Sequence, residues 1–68
     1  MAITVEVLAT ALRIDAPDDA QTAELTRLVG VSVEMVTRYA PDAPEVVADE
    51  AAIRIAGYLF DAPPAPQE

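Results

Sequence analysis

The side chains that carry out most enzyme chemistry are rare or missing in this chain. There is no histidine, cysteine or lysine, so the usual general bases, thiol nucleophiles and Schiff-base amines are not available. The only serine, Ser32, falls on an apolar helix face with no base near it in the sequence. Glu45 and Asp49 share a face at a spacing of four residues and could attract a cation, although such pairs are more often simply solvated. We therefore expect no catalytic residue, no cofactor and no resident metal.

Carboxylates dominate the charged residues. The chain contains twelve acidic residues and four arginines, which gives a net charge of −8. Nucleic-acid binding needs clustered cations, whereas Arg13, Arg27, Arg38 and Arg54 are scattered among acids. We expect no direct binding of nucleic acid. The acidity is interpreted first as a means of solubility, and second as a surface past which DNA slides without sticking.

The length of the chain limits its core. A chain of 68 residues forms one small domain, and a core of that size supplies only a few kcal/mol. Disulfides and the usual zinc or haem ligands are excluded by composition, so association with other subunits is the remaining source of stability. The start has no basic segment typical of a secretory signal, and no apolar run is long enough to span a bilayer. We expect a soluble, intracellular protein.

Three stretches with a helical period predict an all-α, three-helix domain over residues 1–61. The predicted helices are a short one from about Val5 to Arg13 with Thr4 as N-cap, a long amphipathic one from about Asp18 to Arg38 or Tyr39, and a C-terminal one from about Ala43 to Phe60 or Asp61. A strand over residues 28–33, suggested by Val31 and Val33, is outweighed by the helical period that continues to Tyr39. Residues 62–68 are rich in proline and are predicted to form an extended tail.

The apolar stripes of the first two helices predict their core faces. The first helix should bury Val5, Leu8, Ala9 and Leu12, and the second Leu25, Leu28, Val29, Ser32, Met35, Val36 and Tyr39. Thr26, Arg27, Gly30, Glu34 and Thr37 should face away from the core. Tyr39 and Tyr58 are predicted to be core residues whose hydroxyl groups reach the surface.

The third helix has a strong start signal. Asp42 can act as its N-cap, Pro44 suits the first turn, and Glu45 completes a capping box. The segment Asp15-Ala16-Pro17-Asp18 repeats this pattern before the second helix, so the two helices are expected to begin in the same way.

The third helix is apolar on two opposite sides. One broad arc gathers Val47, Ala48, Ala51, Ile55, Tyr58 and Leu59. The opposite stripe gathers Val46, Ile53 and Phe60, flanked by Ala56 and Gly57. An ordinary surface helix has one apolar face, so the second stripe is predicted to meet another molecule, with Val46, Ile53, Arg54, Gly57 and Phe60 as candidate interface residues. A central position between the other two helices would also explain the stripe, but the shortness of the chain favours a partner, and both interpretations stay open.

Arg54 lies beside the second stripe. Its expected partners are Glu50, one turn earlier, and Asp61, two turns later. An ordinary ion pair on the helix surface and a contact between subunits are both compatible with this position.

Two segments of the chain resemble one known family. They are Tyr39-Ala40-Pro41-Asp42-Ala43-Pro44 and Ala51-Ala52-Ile53-Arg54-Ile55-Ala56-Gly57-Tyr58-Leu59-Phe60-Asp61. In the head–tail connector (adaptor) proteins of long-tailed bacteriophages and related prophages, a similar Tyr-Ala-Pro-x-Ala-Pro turn precedes a helix of the form Ala-x-x-Arg-x-Ala-Gly-Tyr-Leu. Leu12-Arg13-Ile14-Asp15 and the acidic Asp18-Asp19 are also similar, so the resemblance extends from about Thr4 to Asp61.

The resemblance implies a virion structural protein without catalytic activity. Such proteins form a ring, commonly a dodecamer, beneath the portal protein at the head–tail junction, after assembly in the host cytoplasm. The ring extends the DNA channel and offers a docking platform for the next neck or tail component, a stopper or a tail terminator. DNA passes through it without specific binding. Members of the family usually continue beyond the third helix, so this chain is either a short form or a piece of a longer connector.

A second function of a different class stays open. A small acidic regulatory module, such as an antitoxin-like or DNA-mimic protein, would use its carboxylates to bind a basic protein partner. That reading requires acids at phosphate-like spacing on one face, whereas the acids here are distributed over all three helices and the linkers.

Overall fold

The computed structural model describes residues 3–61 of the chain, and these fold into three α-helices. Helix α1 spans Val5–Ala11, α2 spans Asp19–Tyr39 and α3 spans Glu45–Asp61. The predicted all-α architecture is confirmed, and the described residues contain no strand. Residues 28–33, the alternative strand, lie inside α2. The proline-rich segment 62–68, predicted to be extended, lies outside the described residues.

Helix α1 begins at the predicted N-cap and ends two residues earlier than predicted. The Thr4 backbone is extended, and its Oγ1 accepts a hydrogen bond of 3.2 Å from the N–H of Val7. At the other end, Arg13 adopts the left-handed conformation with φ of 63°. This conformation stops the helix, so Ala11 is its last residue.

The end of α1 is a Schellman motif. The N–H of Arg13 donates to the carbonyl of Thr10 at 3.1 Å, and the N–H of Ile14 donates to the carbonyl of Ala9 at 2.9 Å. These two bonds satisfy carbonyl groups that a helix end otherwise leaves without partners. Ile14 also packs against the core residues of α1, as the residue at this position of the motif commonly does.

Helix α2 begins with a capping box one turn later than the repeated acidic pattern suggested. The Asp18 carboxylate accepts from the N–H of Gln21 at 2.7 Å, and the Gln21 side chain accepts from the N–H of Asp18 at 3.0 Å. Asp18, not Asp15, is therefore the N-cap. The reason is Pro17, which disfavours the helical conformation for the residue before it and so keeps the helix from starting earlier.

Helix α3 starts at Glu45, and the prediction of Asp42 as its N-cap is wrong. The first bond of the helix runs from the N–H of Ala48 to the carbonyl of Pro44 at 2.8 Å, which places Pro44 at the cap position. Ala43, which precedes a proline, stays outside the helix and donates to the carbonyl of Ala40 at 3.1 Å. The two helices thus begin by different means, one with a side-chain cap and the other with a proline that has no N–H to satisfy.

Helices α2 and α3 are antiparallel and form the largest interface, and α1 packs against both. The core consists of two clusters. The first cluster contains Leu8, Ala9, Leu25, Leu28 and Ala56. The second cluster, near the α2–α3 turn, contains Ile3, Val36, Ala48 and Ala52. Val29 packs against both clusters and so connects them.

The buried line of α3 consists only of alanines. Ala48, Ala52 and Ala56 are spaced by four residues, and all three are buried. We call this line the alanine seam. Small side chains allow two helices to approach closely, while the larger Ile55 and Leu59 are half-buried beside the seam. The centre of the core face therefore lies between the two apolar arcs predicted from the sequence.

Two members of the predicted core arc of α3 are on the surface. Val47 is 56% exposed and Tyr58 is 74% exposed. On α2 the predicted stripe is confirmed at Leu25, Leu28, Ser32 and Val36, which are all buried. Tyr39, predicted as core, is 80% exposed, because it is the last residue of α2 and lies beyond Val36, the last α2 residue in the second cluster.

Candidate assembly surface

The five candidate interface residues divide into two groups. Val46 is 81% exposed, and Arg54 is also exposed. Ile53 packs against the second cluster and Phe60 against the first. A Cβ atom placed on Gly57 would lie 3.3 Å from Leu12 Cδ2. The last three residues therefore face α1 or the core of their own chain, which leaves Val46 and Arg54 as the accessible pair.

Arg54 pairs with Glu50, one of its two expected partners. The Nε–H of Arg54 donates to Glu50 Oε2 at 2.8 Å. The two side chains are 77% and 57% exposed, so the pair contributes only a few tenths of a kcal/mol. Within the described residues this bond uses Nε–H alone, and the Nη groups remain available to a further acceptor.

A stripe of four exposed residues runs along the solvent side of α3. Val46, Glu50, Arg54 and Tyr58 are spaced by four residues and all are exposed. We call them the outer stripe. An apolar side chain stands at each end, and the charged pair stands in the middle. Apolarity alone separates Val46 from Tyr58, because it assigns them to different sides of α3. The constant spacing of four is the sequence signal that joins them.

Further apolar side chains are exposed at the end of the molecule where α2 turns into α3. Tyr39 and Val46 are each about four-fifths exposed there, and Val47 is more than half exposed. Single exposed apolar residues are ordinary, but a group of large ones at one end is typical of an interaction surface. We call Tyr39, Val46 and Val47 the hairpin-end group.

Most of the positive charge is already paired within helices. Arg27 bonds Glu24 at 2.8 Å and Arg38 bonds Glu34 at 2.9 Å, in addition to the pair on α3. The hydrogen bond from Arg27 lowers the pKa of Glu24, and the same bond raises the pKa of Arg27. With these arginines engaged, the rest of the described surface is strongly acidic, and no cluster of free cations is formed that would bind phosphate groups.

The concave surfaces of the described residues contain no recognisable catalytic arrangement. An open cavity of about 260 Å³ at the α2–α3 turn is lined by residues including Thr37 and Glu45. A second, of about 350 Å³, lies between α1 and the start of α2, and Glu6 and Asp15 are among its lining residues. No group of three or more potential metal-ligating side chains comes together within residues 3–61. Ser32, the only serine, is buried and donates its hydroxyl hydrogen to the carbonyl of Leu28 at 2.7 Å.

Comparison of the chain with protein-family models, with curated proteins and with solved structures found no match. None of the helices formed by residues 3–61 is both long and apolar enough to cross a lipid bilayer. The function is therefore inferred from the surface chemistry and from the resemblance of the two sequence segments.

Proposed function

We propose that this protein is a structural subunit that associates into a ring, as the resemblance to phage head–tail connectors implies. In this proposal the ring docks beneath the portal protein, extends the DNA channel and provides the platform for the next neck or tail component. The virion is its final location. The observation that carries the proposal is the hairpin-end group, whose large apolar side chains have no cover within the described chain.

The segments that carry the resemblance share Tyr39 with this surface and otherwise form the α2–α3 turn and most of α3. The first segment, residues 39–44, forms the turn between α2 and α3 and begins with the exposed Tyr39. The second, residues 51–61, provides most of α3, including the exposed Arg54 and Tyr58. A head-to-tail contact between subunits, which generates a ring when its rotation closes, needs two different surfaces on each copy. The hairpin-end group supplies one of them.

The charge distribution suits a channel through which DNA must move. Three of the four arginines are held by glutamates on their own helices, and the chain keeps an excess of eight negative charges. Such a surface repels phosphate groups, so a duplex passing along it would not be retained.

The test is native mass spectrometry of the purified chain over a concentration series, alone and with a portal ring. We expect a discrete ring, commonly a dodecamer, either alone or only on the portal. Tyr39→Asp should prevent ring formation, because it places a charge at the centre of the apolar contact. The control is Thr26→Asp, which adds the same charge to an exposed position on the opposite side of α2.

The outcome that contradicts the proposal is also well defined. A wild-type chain that remains a monomer or dimer at every concentration, with and without portal, is not a ring-forming connector. An equal loss of the ring in Thr26→Asp and Tyr39→Asp would assign the effect to added charge and not to the hairpin-end group.

A further inference from the structure

The outer stripe is complementary to itself about its midpoint, with an apolar residue at each end and an acid and a base at equal distances from the middle. Val46 and Tyr58 lie six positions before and after Ala52, and Glu50 and Arg54 lie two positions before and after it. A two-fold axis at the level of Ala52 would therefore bring each member of the stripe opposite its complement on a second copy. Apolar would meet apolar at the two ends, and acid would meet base twice in the middle.

The spacing of the stripe also suits helix packing. Residues separated by four positions form a ridge that is inclined to the helix axis. Two such ridges pack into each other's grooves at a crossing angle of about −50° with the axes about 8–10 Å apart, which is the commonest arrangement of packed helices. At that distance the side chains of Glu50 and Arg54 reach those of a facing helix.

We propose that the outer stripe is a two-fold contact with a second copy of this chain, in which the two α3 helices run antiparallel. Glu50 of each copy pairs with the partner's Arg54, and Val46 packs against the partner's Tyr58. The intrahelical bond of 2.8 Å between Arg54 and Glu50 holds both side chains on the stripe before the copies meet. The Nη groups of Arg54 then supply the bonds to the partner's carboxylate.

Charge is the reason that the occupant is a second copy. The chain as a whole carries −8, and most pairs of surfaces on two copies repel each other. The middle of the outer stripe contains one acid and one base and is locally neutral. Among the other exposed charged residues of α3, only Asp61 falls near this side by the helical period, and it lies at the helix end, beyond Tyr58. The middle of the stripe thus adds no local repulsion when two acidic copies approach.

This pairing differs from the proposed ring contact, although both include Val46, so one copy does not use that side chain in both contacts at once. A two-fold contact uses the same patch on both copies and closes at two, whereas a ring needs two different patches on each copy. The contact area of a single pair of helices is small, so the dimer is expected to be weak and to depend on concentration.

Cross-linking tests the geometry directly. The chain has no cysteine, so engineered cysteines are the only thiols. In Val46→Cys/Tyr58→Cys, a short bis-maleimide should give a closed covalent dimer and no higher species. Val46→Cys alone should stay monomeric, since its two thiols would be about 18 Å apart along the paired helices. A mixture of the two single variants should give a dimer. Both positions are exposed in the subunit, so the fold should tolerate them; far-ultraviolet circular dichroism checks this.

The charged pair gives a second test. Glu50→Arg and Arg54→Glu each place like charges opposite each other twice, and each should raise the dimer dissociation constant at least about tenfold. The double variant restores opposite charges at both contacts and should recover most of the affinity. Sedimentation equilibrium from about 1 µM to about 1 mM covers the range of a weak dimer.

The results that overturn this pairing differ from those that overturn the ring. The two-fold contact is rejected if the double cysteine variant gives a ladder of cross-linked species. It is also rejected if the charge-reversed double variant has a dimer dissociation constant no lower than those of the single variants. Either result leaves the ring proposal untouched, because that proposal is decided by the Tyr39→Asp comparison.

Discussion

Arg13 stops α1 two residues after its last helical residue, and its backbone conformation suits glycine better. Its φ of 63° lies in the left-handed region, where a side chain costs about 1–2 kcal/mol. The two bonds of the Schellman motif and the packing of Ile14 hold it there. The local structure therefore depends on these hydrogen bonds and on the packing of Ile14 more than on the preference of Arg13 itself.

Replacing Arg13 with glycine should stabilise the protein. We expect Arg13→Gly to raise the free energy of unfolding by about 1 kcal/mol, because glycine adopts the left-handed conformation without steric cost. Urea denaturation followed by circular dichroism measures the change. Arg13→Ala, which removes the same side chain but keeps Cβ, is the control and should show no such gain. Equal gains in both variants would attribute the effect to loss of the arginine charge.

The ends of the helices illustrate what the sequence could and could not predict. Thr4 was predicted correctly as a cap because its side chain meets the backbone only three residues away. Asp42 was placed wrongly because its acidic type and the proline after it match a common signal. Pro44 keeps Ala43 out of the helical conformation. This restriction outweighs the preference of Asp42 for the N-cap position.

Among the helices, α3 departs furthest from its prediction. The period of the apolar residues correctly predicted a helix in that region. The period could not fix the buried side, because apolar residues occupy most of the circumference. Packing selected the alanine seam on the basis of volume, since α2 can approach α3 closely only along a line of small side chains. Hydrophobicity, which ranks alanine below isoleucine, pointed instead to the flanking arcs.

Enlarging the alanine seam should destabilise the protein. Ala52 is fully buried at its centre, and Ala52→Leu adds three heavy atoms to the α2–α3 interface. We expect a loss of about 2 kcal/mol in the free energy of unfolding, the usual cost of overpacking, measured by urea denaturation. Ala23→Leu makes the same change at an exposed position of α2 and should have little effect. If the two variants were equally stable, the helices would not be closely packed along the seam.

The candidate interface could be predicted only in part from the sequence, because packing also decided which of its residues are exposed. The predicted interface residues were chosen as one apolar stripe, and α1 covers the part of that stripe that contains Gly57. The position of α1 depends on long-range packing of a seven-residue helix, which no local pattern specifies. Val46 is exposed because it lies in the first turn of α3, and Arg54 is exposed because it lies beside that stripe and not on it.

The molecule as a whole is thin and highly charged. Its Cα atoms span 34 × 33 × 15 Å, and its net charge is −8. At about 0.01 M salt the screening length is about 30 Å, comparable with the width of the molecule, while at 0.15 M it is about 8 Å. At low salt, therefore, carboxylates on all parts of the fold repel one another.

Salt should stabilise this protein. Raising sodium chloride from about 0.01 M to about 0.15 M is expected to raise the urea midpoint, because relief of the overall repulsion outweighs the weakening of three exposed ion pairs. The variant Glu6→Gln/Asp15→Asn, changed at two exposed positions, should respond less. A midpoint that falls as salt is added would show that the ion pairs dominate.

Helix α1 carries a consequence for the order of folding. A helix of seven residues is far below the length at which isolated helices are stable in water. Helix α1 is therefore stable only when it packs against α2 and α3. Helices α2 and α3 are joined by a short turn and can close on each other through local contacts, which form quickly. Residues 3–14 then complete both clusters, with Ile3 in one and Leu8 in the other. We expect their docking to be the last step of folding and, in hydrogen exchange, their amides to be the first to open.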